Sequence, residues 1–186
     1  VIFGSGIIGL FIAHRLLSEG EDVIILDQKK QIGNATDASV GMLAPLLEAK
    51  PYENKLFHLM QNSKLLWDQL KKTNTIRNEI GLRDNSSLLI ATNEDEVNSL
   101  IFKKKFIEKL GVVPKILDSK QTLKIEPNLN SNVKCSLFFK NNNQVSPHLL
   151  KKFLIKEIIK MGGEILVEEK IDKFSFSKNE LIVSSR

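Results

Sequence analysis

The first stretch of the chain, "VIFGSGIIGLFIAHRLLSEGEDVIILDQ", most limits what it can fold into. It reads as strand, glycine-rich turn, helix and strand. Leu10, Ala13 and Leu17 recur on one face of a helix expected from Gly6 to Glu19, and Gly20 stops it. The β-branched run "DVIIL" suits a strand covered on both faces, as in a parallel sheet. Gly4, Gly6 and Gly9 form G-x-G-x-x-G between strand and helix. Each has a steric reason: a tight turn, close approach of a pyrophosphate, and close packing of helix on strand. The helix N-terminus adds free N–H groups and a partial positive charge. Asp27 ends the second strand, where an acid accepts hydrogen bonds from ribose hydroxyls and its charge disfavours a 2′-phosphate. The expectation is a dinucleotide site in a Rossmann-like unit.

The next segment bears on which dinucleotide. An NAD-binding chain continues with further βαβ units, but here a polar loop, "QKKQIGNATDAS", leads into "ASVGMLAP". A flavin dinucleotide is longer, and its ring system needs a second close approach of backbone. That would account for the lack of bulk near Gly41. Spacing alone leaves NAD and FAD both open.

Further on, Leu56, Leu59, Met60, Ser63, Leu66, Trp67 and Leu70 mark an amphipathic helix from Asn54 to about Lys72, with Trp67 and Met60 as core candidates. The pattern then changes. "SSLLIAT" reads as a short strand, and "EDEVNSLIFKKKFIEKLG" as a helix with acids at its start and Gly111 at its end. "KILDSKQTLKIEP" holds a short helix opened by Asp118 or Ser119, and "NVKCSLFFK" is strand-like. "SPHLLKKFLIKEIIKMGG" starts on Ser146 as N-cap with Pro147 at the first helical position. "EILVEE" and "KIDKFSFSKNELIVSS" complete the chain as strands, the last pair joined through Lys178-Asn179. Val1 is not a methionine and only "VIF" precedes the first glycine, so the chain reads as an internal piece of a longer protein.

Composition removes several classes of function. The net charge of +5 comes from lysines spread along helices with acids interleaved, and no basic run carries aromatics placed for base stacking. Lys103, Lys104 and Lys105 read as a solvated helix face. Nucleic acid is therefore not an expected partner. No apolar run is long enough to cross a bilayer, so no membrane partner is expected either. The single Cys135 excludes an internal disulfide, suits a reducing cytoplasm, and reads as a small strand hydrophobe. His14, His58 and His148 fall on three separate helices without ligand spacing, so no metal site is expected. No Ser/His/Asp or Cys/His nucleophilic set can be argued.

The opening unit together with "ASVGMLAPLLEAK" resembles the FAD-dependent D-amino-acid oxidase family. Its Gly-Met-Leu with nearby alanines is nearest to the glycine oxidases of thiamine biosynthesis. The similarity continues through "SKLLWDQL", "EPNL" and "NNNQVSPHLLKKFLIKEIIKMGGEI" and covers essentially the whole chain, as an N-terminal fragment of that family's length. The resemblance implies an α/β fold: a Rossmann-like FAD-binding domain, residues 1–75 and 143–186, interrupted by part of an α+β substrate domain, residues 76–142. It implies that Gly4, Gly6, Ile7, Ile8 and Gly9 line the pyrophosphate and that Asp27 and Gln28 meet the adenosine ribose. Ala35 and Thr36 would contact the phosphate and ribityl side. Val40, Gly41 and Met42 would present backbone to the isoalloxazine, with Met42 also a candidate for lining the substrate side. Ile171 matches the family position whose main chain contacts adenine. The loop from Gly33 to Gly41 is one residue shorter than in the glycine oxidases. Relatives with covalent flavin carry a histidine near Ala38, so the FAD here is expected to be non-covalent. The implied reaction is oxidative deamination of glycine or another small amino acid, with oxygen as electron acceptor and hydrogen peroxide as product. Alternatives are a related amine or amino-acid dehydrogenase and a non-catalytic flavin-binding module. The arginine that grips the substrate carboxylate falls in the family's C-terminal half, and assembly into a homo-oligomer is left open.

Overall fold

A computed structural model of the chain describes residues 1–28, 34–168, 171–177 and 180–185. Gly33 and the Lys178-Asn179 junction lie outside the described residues. The chain opens with β1 (Ile2–Phe3), α1 (Ile7–Ser18), β2 (Ile24–Gln28) and α2 (Ala35–Ala38). Next come β3 (Met42–Leu43), α3 (Pro45–Glu48), α4 (Asn54–Leu70) and α5 (Asn74–Glu79). Then follow β4 (Arg83–Ala91), α6 (Glu94–Lys109), β5 (Lys115–Asp118), α7 (Ser119–Ile125) and β6 (Cys135–Gln144). The last elements are α8 (Pro147–Lys160), β7 (Glu164–Glu168), β8 (Ile171–Ser177) and β9 (Glu180–Ser185).

Two compact units share these elements. The first comprises Val1–Gly41, Glu79–Gly81 and Ser146–Arg186, and the second Met42–Asn78 and Leu82–Val145. The segment Met42–Asn78 therefore packs within the second unit, whereas the sequence led us to expect the first change of domain near residue 76.

In the first unit β1, β2 and β7 form a parallel sheet in the order β1-β2-β7, with Ile2 opposite Ile25 and Asp27 opposite Val167. α1 and α8 pack on each other and on this sheet. Leu10 and Ala13 of α1, Ile25 of β2, and Leu154 and Ile158 of α8 are buried. These are the positions that helical and strand periodicity assign to an inner face. Ser146 caps α8 by accepting the Leu149 N–H, and Pro147 occupies its first turn. β8 and β9 pair antiparallel with each other, Phe174 opposite Val183.

In the second unit β6 is the spine of an antiparallel sheet. β4 pairs along one edge, while β3 and β5 share the other: β5 pairs with residues 135–138, and β3 with residues 143–144. α6 lies on this sheet, and Ala91, Leu100, Ile107, Leu137 and Phe139 form the core. Asn93 caps α6 by accepting the Glu96 N–H, and Asp118 with Gln121 forms a capping box on α7. Both β4 and β6 run beyond the hydrophobic stretches that suggested them. The extensions are polar and are held by cross-strand side-chain bonds, Asn85 to Gln144 at 2.9 Å and Asn142 to Ser87 at 2.9 Å.

α4 buries a face offset from its hydrophobic pattern. Leu59 is 65% exposed and Leu66 61%, while Phe57 is 4% exposed and buried. Met60 and Trp67 are only half-buried, which corrects their reading as core residues. The inner row of α4 is Phe57, Lys64 and Asp68, continued by Lys71 at its C-cap. Asn143 of β6, 1% exposed, donates to Asp68 Oδ1 at 3.0 Å and accepts from Lys71 Nζ at 3.3 Å. Asp68 also pairs with Lys64 at 2.8 Å and Lys71 at 3.2 Å, and Lys71 reaches Asp84 of β4 at 2.5 Å. A buried amide without partners costs about 1–3 kcal/mol, so the polar row of α4 takes the place next to the strand.

Candidate nucleotide site

The site grows out of the end of β1. Gly4 N–H donates to Leu26 O at 2.7 Å, which carries the parallel sheet into the turn. Gly4 has φ +97°, a backbone that side chains rarely adopt. A Cβ on Gly9 would lie 2.1 Å from Gly4 O, so the first turn of α1 sits on the glycine turn with no room for a side chain. Gly6 differs from both. It is the extended N-cap of α1, and a Cβ there would come no nearer than 3.6 Å, to Thr36 Oγ1. The fold itself thus has space for a side chain at residue 6. The missing bulk suits a ligand group that must approach the backbone, as a pyrophosphate does at a helix N-terminus.

Asp27 is tied directly to this turn. Its Oδ2 accepts the Ser5 N–H at 2.9 Å and the Ser5 hydroxyl, and its Oδ1 accepts the Gln28 N–H at 2.8 Å. Partial burial pushes its carboxyl up, but the Ser5 and Gln28 hydrogen bonds and the positive charge of Lys151 outweigh it and lower it overall. A fixed carboxylate therefore stands at the C-terminal end of β2, as ribose recognition requires. Thr36, buried in α2, accepts the Ile7 N–H at 3.1 Å through Oγ1 and so satisfies a free donor of the first turn of α1. α2 is itself capped by Asn34, which accepts the Asp37 N–H at 2.9 Å.

The structure brings Gly4, Gly6, Ile7, Gly9, Asp27, Gln28 and Thr36 together around the turn, with Asp27 bonded to Gln28, Thr36 bonded to Ile7, and Gly9 packed against Gly4. Ile8 points outward, 75% exposed, and Ala35 is exposed beside Thr36. Val40 is exposed and Gly41 takes φ +69°, the left-handed conformation that favours glycine. Met42 begins β3, opposite Gln144. Within the second unit Met42 lines a pocket of about 290 Å³ together with Leu43, Pro45, Leu59, Met60 and Trp67. The apolar stripe of α4 thus faces a pocket rather than a core. Ile171 begins β8, which among the described residues pairs with β9.

Two residues of the cluster went unmarked in the sequence. Ser5 fills a variable position of the glycine motif and bridges it to the acid. Lys151, buried on α8, lies 3.8 Å from Asp37 Oδ1 and bears on Asp27. It shares a helical row with Leu154 and Ile158, and that spacing is the signal that could have singled it out.

Residues 1–183 match the family model DAO, described as FAD dependent oxidoreductase. A glycerol 3-phosphate dehydrogenase from Caloramator mitchellensis is 26% identical over 176 residues, which is 91% of this chain and 35% of that protein. The crystal structure of glycine oxidase from Geobacillus kaustophilus has a TM-score of 0.85 at 23% identity, covering 98% of this chain and 50% of that one. The dithionite-reduced L-α-glycerophosphate oxidase from Mycoplasma pneumoniae, with FAD bound, has a TM-score of 0.80 at 20% identity, covering 98% of this chain and 48% of that one. The chain spans half or less of the length of these relatives, and the two structural likenesses speak for the fold. Among the described residues no helix is long and apolar enough to cross a membrane.

Proposed function

We propose, from the premise that this chain belongs to the DAO family of FAD-dependent oxidoreductases, that the whole protein oxidises a small amino acid at its amine-bearing carbon, glycine first. The observation that carries the reading is the left-handed Gly41 leading into exposed Met42, downstream of a glycine turn closed on an ionised Asp27. In this assignment Gly4, Gly6, Ile7, Ile8 and Gly9 hold the pyrophosphate, and Asp27 and Gln28 the ribose. Ala35 and Thr36 take the phosphate and ribityl side, Val40, Gly41 and Met42 the ring, and Ile171 the adenine. When bound, the flavin supplies a two-electron acceptor for hydride from the substrate carbon, later reoxidised by oxygen with formation of hydrogen peroxide.

The residues of the chain bind and orient. The ionised Asp27 gives the ribose hydroxyls an acceptor already aimed by Ser5 and Gln28. Thr36 holds the start of α1 through the Ile7 N–H. Gly41 allows backbone where a branched side chain would take up the volume of the ring, and Met42 offers an apolar wall on the substrate side. Ala38 has no group for covalent attachment, so the FAD is held non-covalently. The first unit, residues 1–41, 79–81 and 146–186, serves as the flavin-binding domain, and the second, residues 42–78 and 82–145, as part of the substrate domain. A cytoplasmic role in thiamine biosynthesis goes with the glycine reading.

A second reading is oxidation of glycerol 3-phosphate, favoured by the 26% identity to the dehydrogenase acting on that compound. The test is a peroxide assay of the full-length flavoprotein with glycine, sarcosine, D-alanine and glycerol 3-phosphate. Turnover of glycine is expected. Turnover of glycerol 3-phosphate alone establishes the second reading, and dye reduction by an amine without peroxide moves the assignment to a dehydrogenase. Acid precipitation should leave the yellow colour in the supernatant, and colour in the pellet would overturn the non-covalent assignment.

A further inference from the structure

We propose that the second unit carries a binding site for a small organic anion with an apolar body, in a cavity of about 700 Å³ lined by α4, the α6–β5 connection and β6. Such a volume is in the range of about 300–1,000 Å³ typical of small-molecule sites. The cavity lies where the sheet is interrupted. β5 pairs with β6 as far as Phe138 and β3 resumes at Asn143, so residues 139–142 have no strand partner on that edge among the described residues. The same residues hold a β-bulge. Ser87 pairs with Phe139 and Asn85 with Asn142, which sets both Lys140 and Asn141 against Ser86. Asn141 accordingly takes φ +61°, left-handed for a residue that has a side chain. Bulges re-aim side chains and end strand pairing beside sites, and backbone strain of this kind gathers at sites.

The lining explains the class of ligand. Phe138, Val112, Pro114 and Leu65 give apolar walls. Lys64, Lys115 and Lys140 bring three ammonium groups, against the single carboxylate of Asp68. That carboxylate is already engaged by Lys64 and Lys71 and is lowered to about 2, burial opposing and the Lys64, Asn143 and Lys71 hydrogen bonds prevailing. Among the described residues neither Lys115 nor Lys140 has an ion-pair partner. Lys115 stands opposite Phe138 in the ladder and Lys140 follows two positions along β6, so both charges flank one aromatic wall. A carboxylate or phosphate ester on a ring-sized apolar body matches this arrangement. The site shares no residue with the glycine turn and does not rest on the flavin reading.

Calorimetric titration of the full-length flavoprotein with naphthalene-1-acetate and its uncharged amide tests the proposal. The acid should bind one equivalent about tenfold tighter than the amide, without shifting the flavin absorption. Lys115→Glu with Lys140→Glu should weaken the acid by about tenfold or more and leave the amide unchanged. The same exchange at Lys120 and Lys124 should change neither, and Leu65→Trp, filling the cavity, should block both. No binding of the acid, equal affinity for acid and amide, or binding that survives the double charge reversal overturns the proposal. Acid binding that shifts the flavin absorption and survives the reversal would put the probe in the redox site instead.

Discussion

The parallel unit and the antiparallel unit use polar groups in opposite ways. Around the glycine turn the backbone makes the site: N–H groups of Ser5, Ile7 and Gln28 are directed by Asp27 and Thr36, and two glycines keep side chains away. In the second unit side chains do the joining. Asp68, Lys71, Asp84 and Asn143 hold a helix to a strand pair through bonds between side-chain atoms alone. A backbone site depends on which residues are small and tolerates change at its other positions. A side-chain network depends on which residues are charged, and every member counts.

The largest effects should fall on the backbone site. Gly9→Ala must displace the carbonyl of Gly4, so the full-length protein should lose both flavin and fold. Gly6→Ala meets only ordinary contacts, so it should keep the apoprotein's urea midpoint and lose flavin selectively. Full flavin occupancy in Gly6→Ala would mean that no ligand comes close at this turn. Gly41→Val should also lose flavin, because a branched residue resists φ +69° and fills the ring's volume. Wild-type occupancy there would make the Gly-Met-Leu element merely structural.

The next effect separates the two faces of α4. Phe57→Ala should cost about 3–5 kcal/mol in urea unfolding, as expected for emptying a buried aromatic position. A cost below about 1 kcal/mol would show that the helix does not bury this row.

Smaller, and dependent on pH, is the effect of Asp68→Asn. The folded carboxyl, at about 2, lies below its ordinary value of about 3.9. Its stabilisation is therefore complete above about pH 4 and lost as pH falls toward 2. Wild type and variant should differ clearly at pH 5.5 and converge near pH 2. A gap that stays constant with pH would show that the carboxylate's charge is not what holds α4.

Smallest should be Leu59→Ser and Leu66→Ser, each within about 0.5 kcal/mol of wild type in residues 1–186. A loss of about 2 kcal/mol or more would restore the reading of this stripe as core.

The first unit was open to sequence reasoning because its rules are local. Turn, helix and strand follow within one stretch, and the residue types are dictated by backbone clearance. Ser5 escaped notice because the motif leaves its position free. The second unit resisted for a physical reason. The hydrophobic stripe of α4 predicts an inner face only if the facing strand is apolar, and here that strand presents the buried amide of Asn143. β3 and β5 are too short to leave a pattern, and they exist because β6 offers an edge to pair with.

The pairing of Ile24 with Glu164 also sets an order of events at the ribosome. β2 emerges early, but its neighbour β7 and the helix that covers Leu10 and Ala13 are made only after the entire second unit. At common elongation rates that interval is on the order of ten seconds. Throughout it the glycine turn has a half-built sheet behind it, and the apolar side of α1 has nothing from α8 against it. The inserted unit can condense from its own contiguous strands in the meantime. Nascent chains stalled between Gln144 and Glu164 should therefore be the ones that engage chaperones, and nucleotide capture should begin only once β7 has cleared the exit tunnel.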